Sequence, residues 1–135
     1  MPASLKTLGV TVAIGVLAPV AATAKSSVTY RAFVMPSHQI VCGILLGSQP
    51  EPHGGQLRCD LRFQNDRAVF LAITGKAKLV HVTDAIANPN TAPRLDYGTT
   101  RTYGPFTCTS KVTGLYCHNR HRHGFSVSQQ FQRVY

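Results

Sequence analysis

Carboxylates are scarce in this chain and tryptophan is missing altogether. Five acidic residues, of which Glu51 is the single glutamate, stand against fourteen lysines and arginines in 135 residues, a formal net charge of +9. Glu51 sits in a Pro/Gly stretch beside His53, so the paired carboxylates of a glycoside hydrolase have no basis here. No G-x-S-x-G nucleophile elbow occurs. The four cysteines never come as C-x-x-C, which removes the paired knuckles of a four-cysteine zinc site. No block of five like charges forms a basic tail. The longest apolar run, Leu8 to Val20, falls short of the roughly 20 residues that span a bilayer. No stretch carries the period of a long helix.

The beginning of the chain has a different character from the rest. Lys6, the apolar run and the small-x-small triplet Ala22-Thr23-Ala24 read as a signal peptide, residues 1–24, removed after Ala24, with an uncleaved anchor as the alternative. Residues 25–135 then form one secreted domain, extracellular or in the cell envelope, with no transmembrane anchor after cleavage. That stretch keeps all four cysteines, as suits an oxidising compartment, and a charge of 13 − 5 = +8. A positive balance of this size favours anionic polymers or acidic proteins as partners; its alternative role is plain solubility. A monomer is expected.

Alternation of period two recurs along the domain. Val28–Val34 reads as a strand, broken by Pro36, which cannot donate to a ladder. Ile40–Leu46 resumes, and Gly47–Gly55 is a loop. Leu57, Cys59, Leu61 and Phe63 share one face of the next strand, with Arg58 and Asp60 opposite. Ala68–Ile73 (a strand, with a helical turn as its alternative over so short a run), Lys76–Val82, Leu95–Tyr103, Phe125–Ser128 and Phe131–Tyr135 follow as strands, and Asp84–Arg94, with two Pro and two Asn, is a loop. Eight or nine short strands with Gly/Pro turns and no internal repeat predict an all-β fold, a small antiparallel sandwich or barrel.

Two disulfides are expected to staple it. Four cysteines allow three pairings, and the sequence-near one joins Cys42 to Cys59 and Cys108 to Cys117. Phe106 and Cys108 alternate with Thr107 and Thr109, and Leu115 and Cys117 with Tyr116 and His118. A hairpin symmetric about Val112-Thr113 puts Cys108 opposite Cys117 on its apolar face.

Phe33-Val34-Met35-Pro36-Ser37 before Cys42, Leu57-Arg58-Cys59-Asp60, Leu95-Asp96-Tyr97-Gly98-Thr99-Thr100, Phe106-Thr107-Cys108-Thr109-Ser110, Gly114-Leu115-Tyr116-Cys117 and His123-Gly124-Phe125 occur in that order. Together they resemble a family of small secreted bacterial proteins that bears only a domain-of-unknown-function label. The chain departs from that pattern in having no Trp after Leu57-Arg58-Cys59-Asp60 and His81 in place of a Cys. The resemblance implies a secreted, disulfide-stapled domain and offers no activity to carry over.

His118-Asn119-Arg120-His121-Arg122-His123 is the stretch richest in chemistry. Three imidazoles within six positions suit zinc or copper, but two arginines repel a cation and no carboxylate is near. His118, Arg120, His121, Arg122 and His123 instead suit an anion, through charge-assisted hydrogen bonds, and histidine adds charge in mild acid. No metal or other cofactor is assigned, and no catalytic residue. The expected function is a non-enzymatic binding or interaction domain that meets an anionic envelope polymer or acidic protein through this loop. The alternative is a secreted hydrolase such as a small nuclease, with His38, His81 or the loop histidines as general acid and base. Arg58 and Asp60 read as a structural charge pair, with ligand reading as their alternative.

Overall fold

The computed structural model describes residues 2–4, 8–20, 27–47 and 55–135. The leader's cleavage triplet and most of the 47–55 loop, with Glu51 and His53, lie outside the described residues. Residues 8–20 carry no regular secondary structure, and among the described residues no helix is long and apolar enough to cross a membrane.

Among the described residues, ten strands form two five-stranded antiparallel sheets. The first is a meander of β1 (Val28–Val34), β2 (Ile40–Gly47), β3 (Gly55–Leu61), β4 (Arg67–Ala72) and β5 (Lys78–His81). The second is a meander of β6 (Thr100–Tyr103), β7 (Phe106–Lys111), β8 (Gly114–His118), β9 (Gly124–Val127) and β10 (Gln132–Val134). The inward residues of both sheets make one core, with Phe33, Ile44, Leu57, Leu61 and Leu71 from the first against Phe106, Leu115 and Phe125 from the second. The fold is a sandwich. The expected alternation is clean in the second sheet, which buries one face, while Val41, Arg58, Asp60 and Ala68 on the outer face of the first sheet are buried as well.

Both disulfides join directly opposed residues of neighbouring strands. Cys42 pairs with Cys59 across β2 and β3, and Cys108 with Cys117 across β7 and β8, at Cα separations of 4.0 and 4.1 Å. Each therefore links the second and third strands of its own meander. Ile40-x-Cys42 and Leu57-x-Cys59 in the first sheet correspond to Phe106-x-Cys108 and Leu115-x-Cys117 in the second. The fold thus contains a structural repeat where the sequence shows none.

Leu95–Tyr103 is not one strand. Tyr97-Gly98 forms a turn with Gly98 at φ 84°, the left-handed region that glycine enters freely, and β6 starts only at Thr100. Leu95 is fully buried and begins the second half of the core.

Residues 82–95 link the two meanders by crossing the outer face of the first sheet from β5 to β1. Arg58 and Asp60 project from β3 beneath this strap, both nearly buried. Arg58 Nε donates to Asp60 Oδ1 at 2.7 Å, Nη1 to Asp84 Oδ1 at 3.0 Å and Nη2 to the Asp84 carbonyl at 2.6 Å. The Ile86 amide donates to Asp60 Oδ2 at 2.9 Å, and the Ile86 carbonyl accepts from Tyr30 Oη at 2.6 Å. On β2 the position under Ile86 is Gly43, where a Cβ would run into the Ile86 side chain. At the strap's end Val34 N donates to Pro93 O and Leu95 N donates to Val34 O, each at 2.9 Å. Burial alone would disfavour the Arg58 charge, but its hydrogen bonds to Asp60 and Asp84 outweigh that and leave its pKa raised. The pair holds the fold together, as the charge-pair reading predicts.

Two tyrosines resist ionisation. Burial, with the Asp60 charge second, raises Tyr30. Burial also raises Tyr103, against an opposing pull from Arg101 and Arg31; its hydroxyl finds no hydrogen-bond partner among the described residues. A phenol whose folded-state pKa lies above its unfolded value near 10 contributes stability that is complete below that pH and lost as pH rises through the folded value. An alkaline spectrophotometric titration is expected to show two of the five tyrosines ionising late, buried Tyr103 together with unfolding and the exposed Tyr30 without it. A single step near pH 10 with all five ionised and the fold intact would count against it.

Candidate anion-binding surface

The histidine- and arginine-rich stretch is the connection between β8 and β9, residues 119–123. Asn119 organises it, and its charged neighbours hid that role. Its side chain is buried, with Nδ2 donating to the carbonyls of Ala72 (3.0 Å) and Gly75 (3.1 Å) in the first sheet. Its Oδ1 accepts from the amides of His121 (2.9 Å) and His123 (3.2 Å). An amide is the one side chain in the stretch that can both donate and accept in this way, which is the signal that could have found it. The loop is thereby pinned to the opposite sheet while its charges stay outside.

His118, Arg120, His121 and Arg122 are exposed and His123 is half-buried. Three of the five predicted anion-binding residues share the lining of one depression. His118, Arg120 and Arg122 line a shallow depression of about 210 Å³ against Pro105 and Thr107, at the β6–β7 turn. His121 and His123 lie outside that lining. Arg122 adopts φ 64°, a left-handed conformation where an arginine stores strain that glycine would not.

The histidines of the hydrolase reading are dispersed. Asn119 ties the loop to the β4–β5 turn, whereas His81 pairs with Arg67 at the far end of β4 and His38 occupies the β1–β2 turn at that same far end. Among the described residues no group of three His, Cys, Asp or Glu side chains could hold a metal ion.

The depression opens onto the outer face of the second sheet. Register places Thr100, Thr109, Tyr116, Ser126 and Arg133 in one row across β6, β7, β8, β9 and β10, and Thr102, Thr107 and His118 in the next. Their alternation with buried Cys108, Cys117, Phe125 and Val127 sends them outward. Thr100 and Thr109 share a hydrogen bond at 2.8 Å, and Lys111 Nζ lies 5.2 Å from the centre of the Tyr116 ring.

Residues 97–135 contain Arg101, Lys111, Arg120, Arg122 and Arg133 and not one Asp or Glu. The carboxylates belong to the other half: Asp60 and Asp84 hold Arg58, Asp96 holds Arg94 at 2.7 Å, and Asp66 sits in the β3–β4 turn. Charge segregation between the halves of the chain was available in the sequence and is a stronger signal than the His/Arg run by itself. No family model, characterised protein or solved structure matches this chain.

Proposed function

We propose that the protein is a secreted binding domain for an anionic polymer of the cell envelope or surroundings, engaged by the outer face of the second sheet together with the β8–β9 loop. One observation carries the reading: residues 97–135 have five lysines and arginines and no Asp or Glu, and the outer face of their sheet is lined with hydroxyls. Elsewhere on the chain two arginines, Arg58 and Arg94, are paired with carboxylates. Here Arg120, Arg122 and Arg133 stand exposed at the rim of the face. Threonine and tyrosine hydroxyls supply hydrogen bonds to sulfate, phosphate or carboxylate oxygens, and the cations supply long-range attraction. Two disulfides in a small domain suit an oxidising compartment.

The test is heparin affinity as a function of salt. Each neutralised anionic group releases counterions and adds about one to the slope of log affinity against log salt. The Arg120→Ala/Arg122→Ala double variant is expected to bind at least about tenfold more weakly than the parent at low salt and to lose about two from that slope. Arg62→Ala/Arg67→Ala, on the first sheet, is the control and keeps both. Equal losses in the two variants, or an affinity indifferent to salt, would overturn the proposal. Cleavage of the polymer that stops on His118→Ala would move the protein to the hydrolase class.

A further inference from the structure

At the end of the sandwich opposite the basic loop, the sheets part around a cavity of about 220 Å³. Buried Met35 and Ile40 form part of its lining, with half-buried Phe63 and exposed Tyr97 beside them. Gln39 contributes from the first sheet, and Gln129 and Gln130 from the second. Lys111 is the one charged residue among those lining it, and its ammonium is drawn to Tyr116 on the outer face. The cavity therefore presents uncharged polar groups above an apolar base.

Both walls are fixed without a ligand. The β1–β2 turn is closed by Met35 N donating to Ile40 O (2.9 Å) and braced by Arg62, whose Nη1 donates to His38 O (2.7 Å) and whose amide donates to Gln39 O (2.8 Å). On the other side, Ser128 Oγ accepts from the amides of Gln130 (3.2 Å) and Phe131 (3.3 Å), and Gln132 Nε2 donates to Ser128 O (2.7 Å). Tyr97 is held by its turn, where Gly98 N donates to Ser110 O at 2.7 Å. Such preformed walls spare a ligand the cost of ordering loops.

Three primary amides each offer a donor pair and an acceptor, which suits closely spaced hydroxyls rather than a charge. The volume is below that of pockets for drug-sized molecules, so it fits a single ring. A bare hexose would bury a hydroxyl against Met35 and Ile40 with no partner, which is costly; an acyl methyl there is favourable. We propose that this cavity binds one neutral sugar residue bearing an N-acyl group. The glutamine amides bind its hydroxyls, Tyr97 covers the C–H face of the ring, and the acyl methyl packs on the apolar base beside Phe63, where the Met35 thioether already accepts from buried Ser110 Oγ at 3.2 Å. This site is separate from the anion-binding surface and does not depend on it.

The experiment titrates the isotopically labelled full chain with N-acetylglucosamine, glucose and an N-acetylated dipeptide, and follows the side-chain amide resonances of Gln39, Gln129 and Gln130. Saturable shifts with N-acetylglucosamine, at a Kd on the order of 1 mM, are expected, with glucose clearly weaker. Tyr97→Ala and Gln39→Ala/Gln130→Ala are each expected to weaken binding about tenfold or more, close to 1.4 kcal/mol. Arg120→Ala/Arg122→Ala leaves it unchanged. Tyr97 and Gln130 are exposed, so these variants retain the fold, which their thermal midpoints verify. Absence of saturable shifts, equal binding by folded Tyr97→Ala, or tighter binding of the dipeptide would each overturn the assignment, the last in favour of a peptide.

Discussion

Replacing Arg58 by methionine is expected to cost about 3–5 kcal/mol of unfolding free energy, because it strands the Asp60 carboxylate under the strap with only the Ile86 amide as a partner. The loss should appear as a lower urea midpoint at an unchanged slope. Hydrogen exchange at the Ile86 amide is expected to accelerate more than exchange in β7 or β8, since the strap loses its two hydrogen bonds to the guanidinium and keeps the one from Ile86 to Asp60. Changing Asp60 to leucine as well should recover most of the loss, as an apolar pair of similar volume removes the buried charge altogether. A cost below about 1 kcal/mol for the single change would place the pair among solvated surface bridges and contradict its burial.

The second large effect concerns the two staples. Cross-linking limits the unfolded chain in proportion to the logarithm of loop length. For sequence separations of 17 and 9 residues the chain-entropy estimate is about 3 kcal/mol for Cys42–Cys59 and about 2.6 kcal/mol for Cys108–Cys117. Replacing either pair by serine adds the burial of two hydroxyls where the sulfurs are now fully enclosed. Each double variant is therefore expected to lose roughly 2–4 kcal/mol or more, and the Cys42→Ser/Cys59→Ser variant to lose the larger amount. Denaturation under oxidising conditions, parent against each variant, measures both. An unchanged midpoint for either variant would mean that its bridge contributes nothing to the native state.

Much of this architecture could be read in advance because half-buried sheets write their pattern at period two. Leu57, Cys59 and Leu61 point inward and Arg58 and Asp60 outward, as alternation requires. The segment 95–103 misled because its Leu, Tyr and Thr residues favour strands, while a single turn at Tyr97-Gly98 determines the path. The repeat escaped notice for another reason. Only the inward positions correspond; the outward ones are Arg58 and Asp60 in one sheet and Tyr116 and His118 in the other, and the bridged loops differ in length. At the basic loop, residue type was legible but grouping was not. His118, Arg120 and Arg122 line a depression, His121 is exposed outside it and His123 is half-buried, in a loop whose backbone Asn119 holds. The cavity at the other end was invisible to sequence reading, since Gln39, Tyr97 and Gln130 come from three separate turns.

Each meander closes its own bridge before the next begins, and the strap between them contains no cysteine. A chain that emerges amino end first presents Cys42 and Cys59 together, about fifty residues before Cys108 appears. An oxidant that joins thiols in order of appearance thus makes the native pairing at the first attempt, and no wrong bridge has to be opened afterwards. The slow reshuffling that non-consecutive pairings require, seconds to hours, is absent from the route by construction. What remains for the completed chain is to bring two locally formed sheets together and lay residues 82–95 across the first of them.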